Sequence, residues 1–422
     1  MARGWHGWLR RGVLAGALVA VAFTPGQASG SSSSGCTASR CGAAGIVRWV
    51  RPLPGSWTAT SDVLGTVRAA QGGGGQAYAA AGRDVAAIGF DMTVYAYSAR
   101  SGDPLWAKEL TGFPAGSQIV SVRVWPGVVT VGVARGPELD AASSSQRTVI
   151  LTAGAGRQLH SYPAAPFGGA IAADTRNTVV VGSTAVTSYD NATGRVSWSR
   201  ATGHASQDWR SDSGHVYVAQ AAGGYLGTGP VTALRKISLR TGAEQIVRPS
   251  GGSFNGRLSA VLRDVVLFSG AQGVSAYSGT TGQFLWRRAG AVPESVDVTA
   301  GLFYLTVGST LTGVQPWTGR TQARVTGVNG ADSGGVYGVR NGVALGLDLG
   351  PLGEAWGYDV TSQRVIWTTR PLPWPHYFVD LSGIGGSADP DNATVLLTAC
   401  PQRIATASGQ LCQDPELVLI DR

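Results

Sequence analysis

Charge is scarce in this 422-residue chain: Asp, Glu, Lys and Arg make up only 14% of it, against about 25% in an average globular domain. Lysine is nearly missing, with Lys108 and Lys236 alone, and no run of basic residues marks a nucleic-acid footprint. Histidine is sparse too. Beyond His6, the chain holds His160, His204, His215 and His376, scattered without metal-ligand spacing. The cysteines are Cys36, Cys41, Cys400 and Cys412. No two of them are adjacent or spaced as CxxC, which excludes the usual dithiol redox motif. Neither GKS nor GKT follows Gly72-Gly73-Gly74-Gly75, so that stretch is a loop and not a phosphate cradle. After Val50 there is no second low-complexity break, no coiled-coil heptad pattern and no sustained helical periodicity.

One long apolar run exists, and it stands at the start. Arg3, Arg10 and Arg11 precede apolar residues 12–23, followed by Pro25, Gly26 and Ala28. A run of about a dozen residues falls short of the roughly 20 a spanning helix needs. Residues 1–28 therefore read as a secretory signal peptide, of Sec type or, through Arg10-Arg11, of twin-arginine type. The chain is expected to be secreted or extracytoplasmic, with no transmembrane span after cleavage. Residues 29–44 read as a Ser/Gly-rich linker carrying Cys36 and Cys41. No leucine-type residue stands three positions before Cys36, which argues against a lipid anchor there.

Glycine is what the chain has in excess, 62 residues, about twice the average usage, as a many-turned all-β chain requires. The excess is organised. Residues 274–286, VSAYSGTTGQFLW, read as a tight hairpin: an alternating strand, a turn ending at Gly282, and a return strand reaching Trp286. The unit recurs with Gly102 and Trp106, with Gly194 and Trp198, and in a copy ending at Trp367. Weaker copies keep the glycine and replace the tryptophan, around Gly156, Gly242 and Gly319. A last copy is split: ELVLIDR at the C-terminus supplies its first strand, and GIVRWV with Trp49 supplies its second. That makes about eight units, spaced by roughly 37 to 57 residues, the period of a propeller blade.

The expected fold is all-β: an eight-bladed β-propeller of four-stranded antiparallel blades over residues 45–422, closed by the N-terminal strand pairing with the C-terminal strand. Runs such as Val265-Val266-Leu267-Phe268 are apolar on both faces and must be covered on both sides. Stacking blades about an axis does this and leaves few exposed edges. Trp49, Trp106, Trp198, Trp286 and Trp367, with Gly102, Gly194 and Gly282, are the residues expected to lock blades, each indole large enough to cover the gap between neighbours. In an exported protein four cysteines form two disulfides, with three connectivities possible. Pairing of the chain ends would put Cys412 roughly 20 Å from Cys36 and Cys41, so the local pairs Cys36–Cys41 and Cys400–Cys412 are expected. Loops are expected at 137–147, 223–229 and 400–412.

The element of alternating strand, Asp or Ser, Thr-Gly or Ser-Gly, then Trp four residues after the glycine resembles the pyrroloquinoline-quinone (PQQ)-type propeller repeat. Residues 189–198, YDNATGRVSW, carry the closest single match. The family includes quinoprotein dehydrogenases and the propeller lipoprotein of outer-membrane protein assembly, both eight-bladed. Heavy arginine and alanine usage points to a GC-rich genome of actinobacterial type, whose envelope lacks that assembly machine, so its role is not carried over. The resemblance implies the fold and not the cofactor.

Family dehydrogenases hold calcium beside the quinone with acidic and amide side chains and stack a ring of adjacent cysteines on the cofactor. No adjacent cysteines exist here, and acids such as Asp190 and Asp359 sit at hairpin turns, where they cap the backbone. Asp208, Asp212 and Asp297 lie elsewhere and could face the axis, though a solvated or turn-capping role is the expected one for each. No catalytic, cofactor-binding or metal residue is assigned. The expectation is an exported, monomeric, non-enzymatic binding or scaffold protein that recognises a protein or cell-envelope polymer through rim loops, with no nucleic acid and no cofactor. A PQQ- and Ca2+-dependent oxidoreductase is the alternative, and a polysaccharide-binding propeller the second. Beyond Trp5 and Trp8 of the signal peptide, six tryptophans lie outside the repeat position: Trp57, Trp125, Trp209, Trp317, Trp356 and Trp374. Trp125 reads as core, and Trp374, in a proline-rich loop, as a surface contact. The sequons at Asn191 and Asn392 are noted, the first already explained as a turn. Formal net charge is +8, and without the three arginines of residues 1–28 it is about +5, a surface suited to anionic wall polymers or lipid headgroups.

Overall fold

The computed structural model describes residues 46–52, 57–59, 67–69, 75–76, 78–90, 92–135, 146–164, 169–182, 184–202, 209–212, 214–221, 229–326, 336–347, 352–369, 372–373, 375–378, 394–399, 402–406, 409–413 and 416–421. Cys36, Cys41 and Cys400, the signal-peptide and linker segments, Asp208, His204, Trp374 and Asn392 lie outside them.

Eight four-stranded antiparallel sheets follow one another as blades of a propeller. Blades 1 to 7 cover 78–109, 117–164, 169–201, 209–247, 257–289, 292–326 and 336–368. Blade 5 has the expected form: Arg257–Leu262, Val265–Gly270, Gly273–Ser278 and Phe284–Ala289, each paired with the next. Its second strand shows why the sheets must stack. Val266 and Phe268 pack on one side against Tyr217, Ala219 and Leu234 of blade 4. Val265 and Leu267 pack on the other against Phe303, Leu305 and Val314 of blade 6. All four residues are fully buried. A strand apolar at every position thus becomes a shared wall between two interfaces.

Blade 8 joins the chain ends. Pro375–Phe378, Thr394–Ala399 and Glu416–Asp421 form three of its strands, and Val47–Pro52 adds the outermost. The register runs from Val47 opposite Ile420 to Pro52 opposite Glu416, with a bulge before Trp49. Leu417 to Ile420 are fully buried, so the closure is a core contact as well as a hydrogen-bonded seam.

One expectation is overturned. The 400–412 segment is not a plain loop: Gln402–Thr406 and Gly409–Gln413 form a hairpin, with Cys412 opposite Arg403. Gly409–Gln413 also pairs with Trp57–Ala59, so the hairpin joins Val67–Ala69 and Gly75–Gln76 in a five-stranded sheet outside the blades. This missing element is non-local, since its partner strand lies some 350 residues earlier in the chain. A second small sheet pairs Leu352–Gly353 with Leu372–Pro373.

Antiparallel order gives the ring two unlike sides. Turns from first to second and from third to fourth strand share one side; second-to-third turns and blade-to-blade connections share the other. In blades 1 to 7 the first side carries only short turns, such as 126–127, 263–264 and 279–283. Both additional sheets arise from connections of the opposite side. First strands of neighbouring blades contact one another, which places them innermost.

Candidate functional site

The repeat tryptophans reach forward by one blade. Trp49 of blade 8 lies on Gly102 of blade 1, Trp106 on Gly156 of blade 2, Trp198 on Gly242 of blade 4, and Trp286 on Gly319 of blade 6. A methyl group at any of these glycines would stand 2.5–2.8 Å from the indole, and each glycine has φ between +61° and +71°, a region that L-residues avoid. Trp49, Trp106 and Trp286 also donate from Nε1 to the carbonyls of Ala99, Ala153 and Pro316, three residues before each glycine. The remaining junctions depart from this scheme. Gly194 meets the imidazole of His160, Gly282 meets the Arg248 backbone, and Trp367 packs with Leu345, Val418 and Ile420 at the blade 7–8 junction.

A second residue of the repeat was missed from the sequence. Two positions after the tryptophan, Arg51, Arg200 and Arg288 donate to the carbonyls of Gly102, Gly242 and Gly319 at 2.7, 2.5 and 2.7 Å. The signal was legible as Trp-x-Arg in three copies, with Lys108 at the same place in a fourth.

Among the described residues a group of titratable side chains spans blades 4 and 5. Lys236 donates to Asp264 Oδ1 at 2.5 Å and to Thr280 Oγ1 at 3.2 Å. Tyr217 donates to the same Asp264 oxygen. Asp212 Oδ1 accepts the amides of Gly214 and His215, capping its turn, and lies 3.8 Å from His215 Nδ1. Burial acts to raise the Asp264 carboxyl, but hydrogen bonds from Lys236 and Tyr217 and the Lys236 charge outweigh it and hold it below its ordinary value. Burial and the bond to Asp264 push the Tyr217 phenol far upward. Ligand atoms of Asp212, His215 and Asp264 lie within 4.8 Å of one another. Lys236 already supplies the positive charge that Asp264 requires, so the group is built as a compensated ion network between blades.

Among the described residues the innermost strands offer few donors for a calcium–quinone set. Among the described residues those strands carry Glu294 and Asp297 as their acids. Asp297 is buried, and its two oxygens accept the amides of Ala300 and of Gly342 in blade 7. Its two oxygens thus bridge two turns. Glu294 is the extra residue of a bulge in the first strand of blade 6, where desolvation pushes its carboxyl up despite a hydrogen bond from Thr306.

Other expected positions resolve by burial. Asn191 is 1% exposed, donating to the Asp174 carbonyl and accepting from Thr178, so its sequon is closed to modification in the folded chain. Asp190 and Asp359 cap their turns by accepting amides at 192–193 and 361–362. Trp125 is core and donates to Thr130, and Trp209 is core in the blade 3–4 cluster. Trp317 is 49% exposed, on the last turn of blade 6. Tyr162 stacks on Tyr189 with centroids 3.7 Å apart, and burial, then the neighbouring Tyr189 and Asp190, push its phenol up to about 12.

The family model described as outer membrane protein assembly factor BamB matches the chain over residues 45–200 and 91–369. Among solved structures the chain is similar to BamB from Moraxella catarrhalis, at 16% identity and TM-score 0.42, covering 75% of this chain and 94% of that one. It is also similar to the C-terminal WD40 domain of Sif2, at 8% identity and TM-score 0.48, covering 82% and 95%. Hsv2 from Kluyveromyces marxianus matches at 9% identity and TM-score 0.42, covering 70% and 96%. No curated protein matches the chain.

Proposed function

Since the chain belongs to the outer membrane protein assembly factor BamB family of PQQ-type propellers, we propose that it is an exported, non-enzymatic scaffold that holds a protein partner on one side of its ring. The observation that carries this reading is the unequal elaboration of the two sides. In blades 1 to 7 the short turns on one side make a uniform frame. The five-stranded and two-stranded sheets both grow from connections of the other side, near the junction of blades 7, 8 and 1. Propellers recognise macromolecules through such rim connections, because a rigid ring positions them while their sequences vary freely. Against catalysis stands the donor set: the innermost acids that are described are few, and Asp297 is spent on backbone amides.

The test compares capture of envelope proteins by the wild-type chain and by a variant whose hairpin residues 402–413, part of the five-stranded sheet, are replaced with a Gly-Ser segment of equal length. A partner lost from this variant, yet kept by one altered on the short-turn side, supports the reading. Saturable binding of PQQ with calcium, accompanied by dye reduction on alcohols or sugars, would overturn it.

A further inference from the structure

The outer strands of neighbouring blades are joined by a repeated pair of side chains, and blade 2 lacks both members. Where Trp49, Trp198 and Trp286 are followed two positions later by Arg51, Arg200 and Arg288, blade 2 carries His160 and Tyr162. The imidazole lies on Gly194 of blade 3 in place of an indole. Tyr162 stacks on Tyr189 and makes no bond to the Gly194 carbonyl. Its buried Oη, like Thr148 Oγ1 opposite it on the adjoining strand, has no hydrogen-bond partner among the described residues. A buried hydroxyl left without a bond works against the packing that buries it.

Burial singles out the same junction. Gly102, Gly156, Gly242, Gly282 and Gly319 are buried, whereas Gly194 is partly exposed. The other tryptophan-free junctions are filled by buried apolar side chains: Val247, Phe254 and Tyr277 between blades 4 and 5, and Ala323, Val325 and Val360 between blades 6 and 7. Between blades 2 and 3, His160 and Tyr189 at the outer corner are only partly buried. Nearer the axis the same junction is firm. Trp125, Val128, Ala170 and Val180 are buried together, and Arg123 donates to the Ala170 carbonyl at 3.1 Å.

We infer that the ring yields at this corner: the outermost strand of blade 2, Gln158–Ala164, detaches while the inner strands of blades 2 and 3 stay packed. That strand has a ladder on one side only, to Gln146–Thr152. What distinguishes a firm outer strand from a labile one is therefore the contact it makes with the next blade, and local opening starts where such contacts are fewest. Detachment bares the edge of Gln146–Thr152 and leaves the ring closed, whatever partner the protein holds.

The test is native-state amide hydrogen exchange of the full chain, read by mass spectrometry. Paired amides of Gln158–Ala164 should exchange about tenfold faster, or more, than those of the outer strands Pro104–Glu109, Val196–Ala201 and Phe284–Ala289. Because His160 does not lock its strand, His160→Ala should change exchange of 158–164 by less than about twofold, whereas Trp198→Ala should raise that of 196–201 about tenfold or more. Installing the missing pair, H160W/Y162R, should slow 158–164 to the rate of the other outer strands. Equal exchange of all these strands in the wild type, or a rise with His160→Ala as large as that with Trp198→Ala, would overturn the inference whether or not the double variant folds. So would unchanged exchange in a folded H160W/Y162R protein.

Discussion

Gly156→Ala tests whether a blade is held by its neighbour's tryptophan. Gly156 has φ +61°, so alanine there costs about 1 kcal/mol through the left-handed backbone alone. Its methyl would also stand 2.5 Å from Cδ2 and Cε3 of Trp106, where ordinary contact begins at 3.4 Å. The ring cannot retreat without stretching the 2.7 Å bond from its Nε1 to the Ala153 carbonyl. Overpacking of this kind costs about 1–3 kcal/mol, so the substitution should cost about 3 kcal/mol in all. Trp106→Ala should cost a similar amount, about 3 kcal/mol, because the ring is half-buried and its hydrogen bond contributes about 1 kcal/mol. With the indole gone, Gly156→Ala keeps only the backbone cost. The double variant should therefore lose about 4 kcal/mol rather than about 6, a coupling of about 2 kcal/mol. Urea unfolding of the four proteins, followed by near-ultraviolet circular dichroism, measures this. Losses that add to within about 0.5 kcal/mol would refute the contact as the source of the effect.

The Asp264 carboxyl is held below its ordinary value of 3.8, so its pairing stabilises the fold above that pH and the contribution is lost as pH falls through the lower, folded value. Asp264→Asn should flatten the acid limb of the melting temperature below about pH 4, and an unchanged limb would show that Lys236 gains nothing from the pair. Asn191→Ala should cost about 1–3 kcal/mol, since Thr178 Oγ1 and the Asp174 carbonyl lose their buried partner. A loss below about 0.5 kcal/mol in thermal unfolding would contradict that burial. Ending the chain after Gln413 removes Glu416–Asp421, leaving Val47–Pro52 without its pairing strand. The truncated protein should show strand content by far-ultraviolet circular dichroism but no cooperative melt, and a wild-type transition would disprove closure by this seam.

Strand-forming runs, turn glycines and the split last hairpin are local patterns, with periods of two residues along a strand and a few residues around a turn, so they can be read without coordinates. They determined the eight blades and the pairing of the chain ends. What they could not supply is which atoms meet between blades. Trp106 and Ala153, Lys236 and Asp264, and Asp297 and Gly342 are 28 to 47 residues apart, and no local periodicity carries that pairing. Lys236 reads as an ordinary strand lysine until the curvature of the ring brings it against Asp264. The 402–413 hairpin reads as a cysteine-bracketed loop until closure brings Trp57–Ala59 alongside. The short turns are visible one by one in the sequence. Only the antiparallel order of each blade, repeated about one axis, puts them on one side of the ring, because it is the parity of strand reversals that decides which rim a turn occupies.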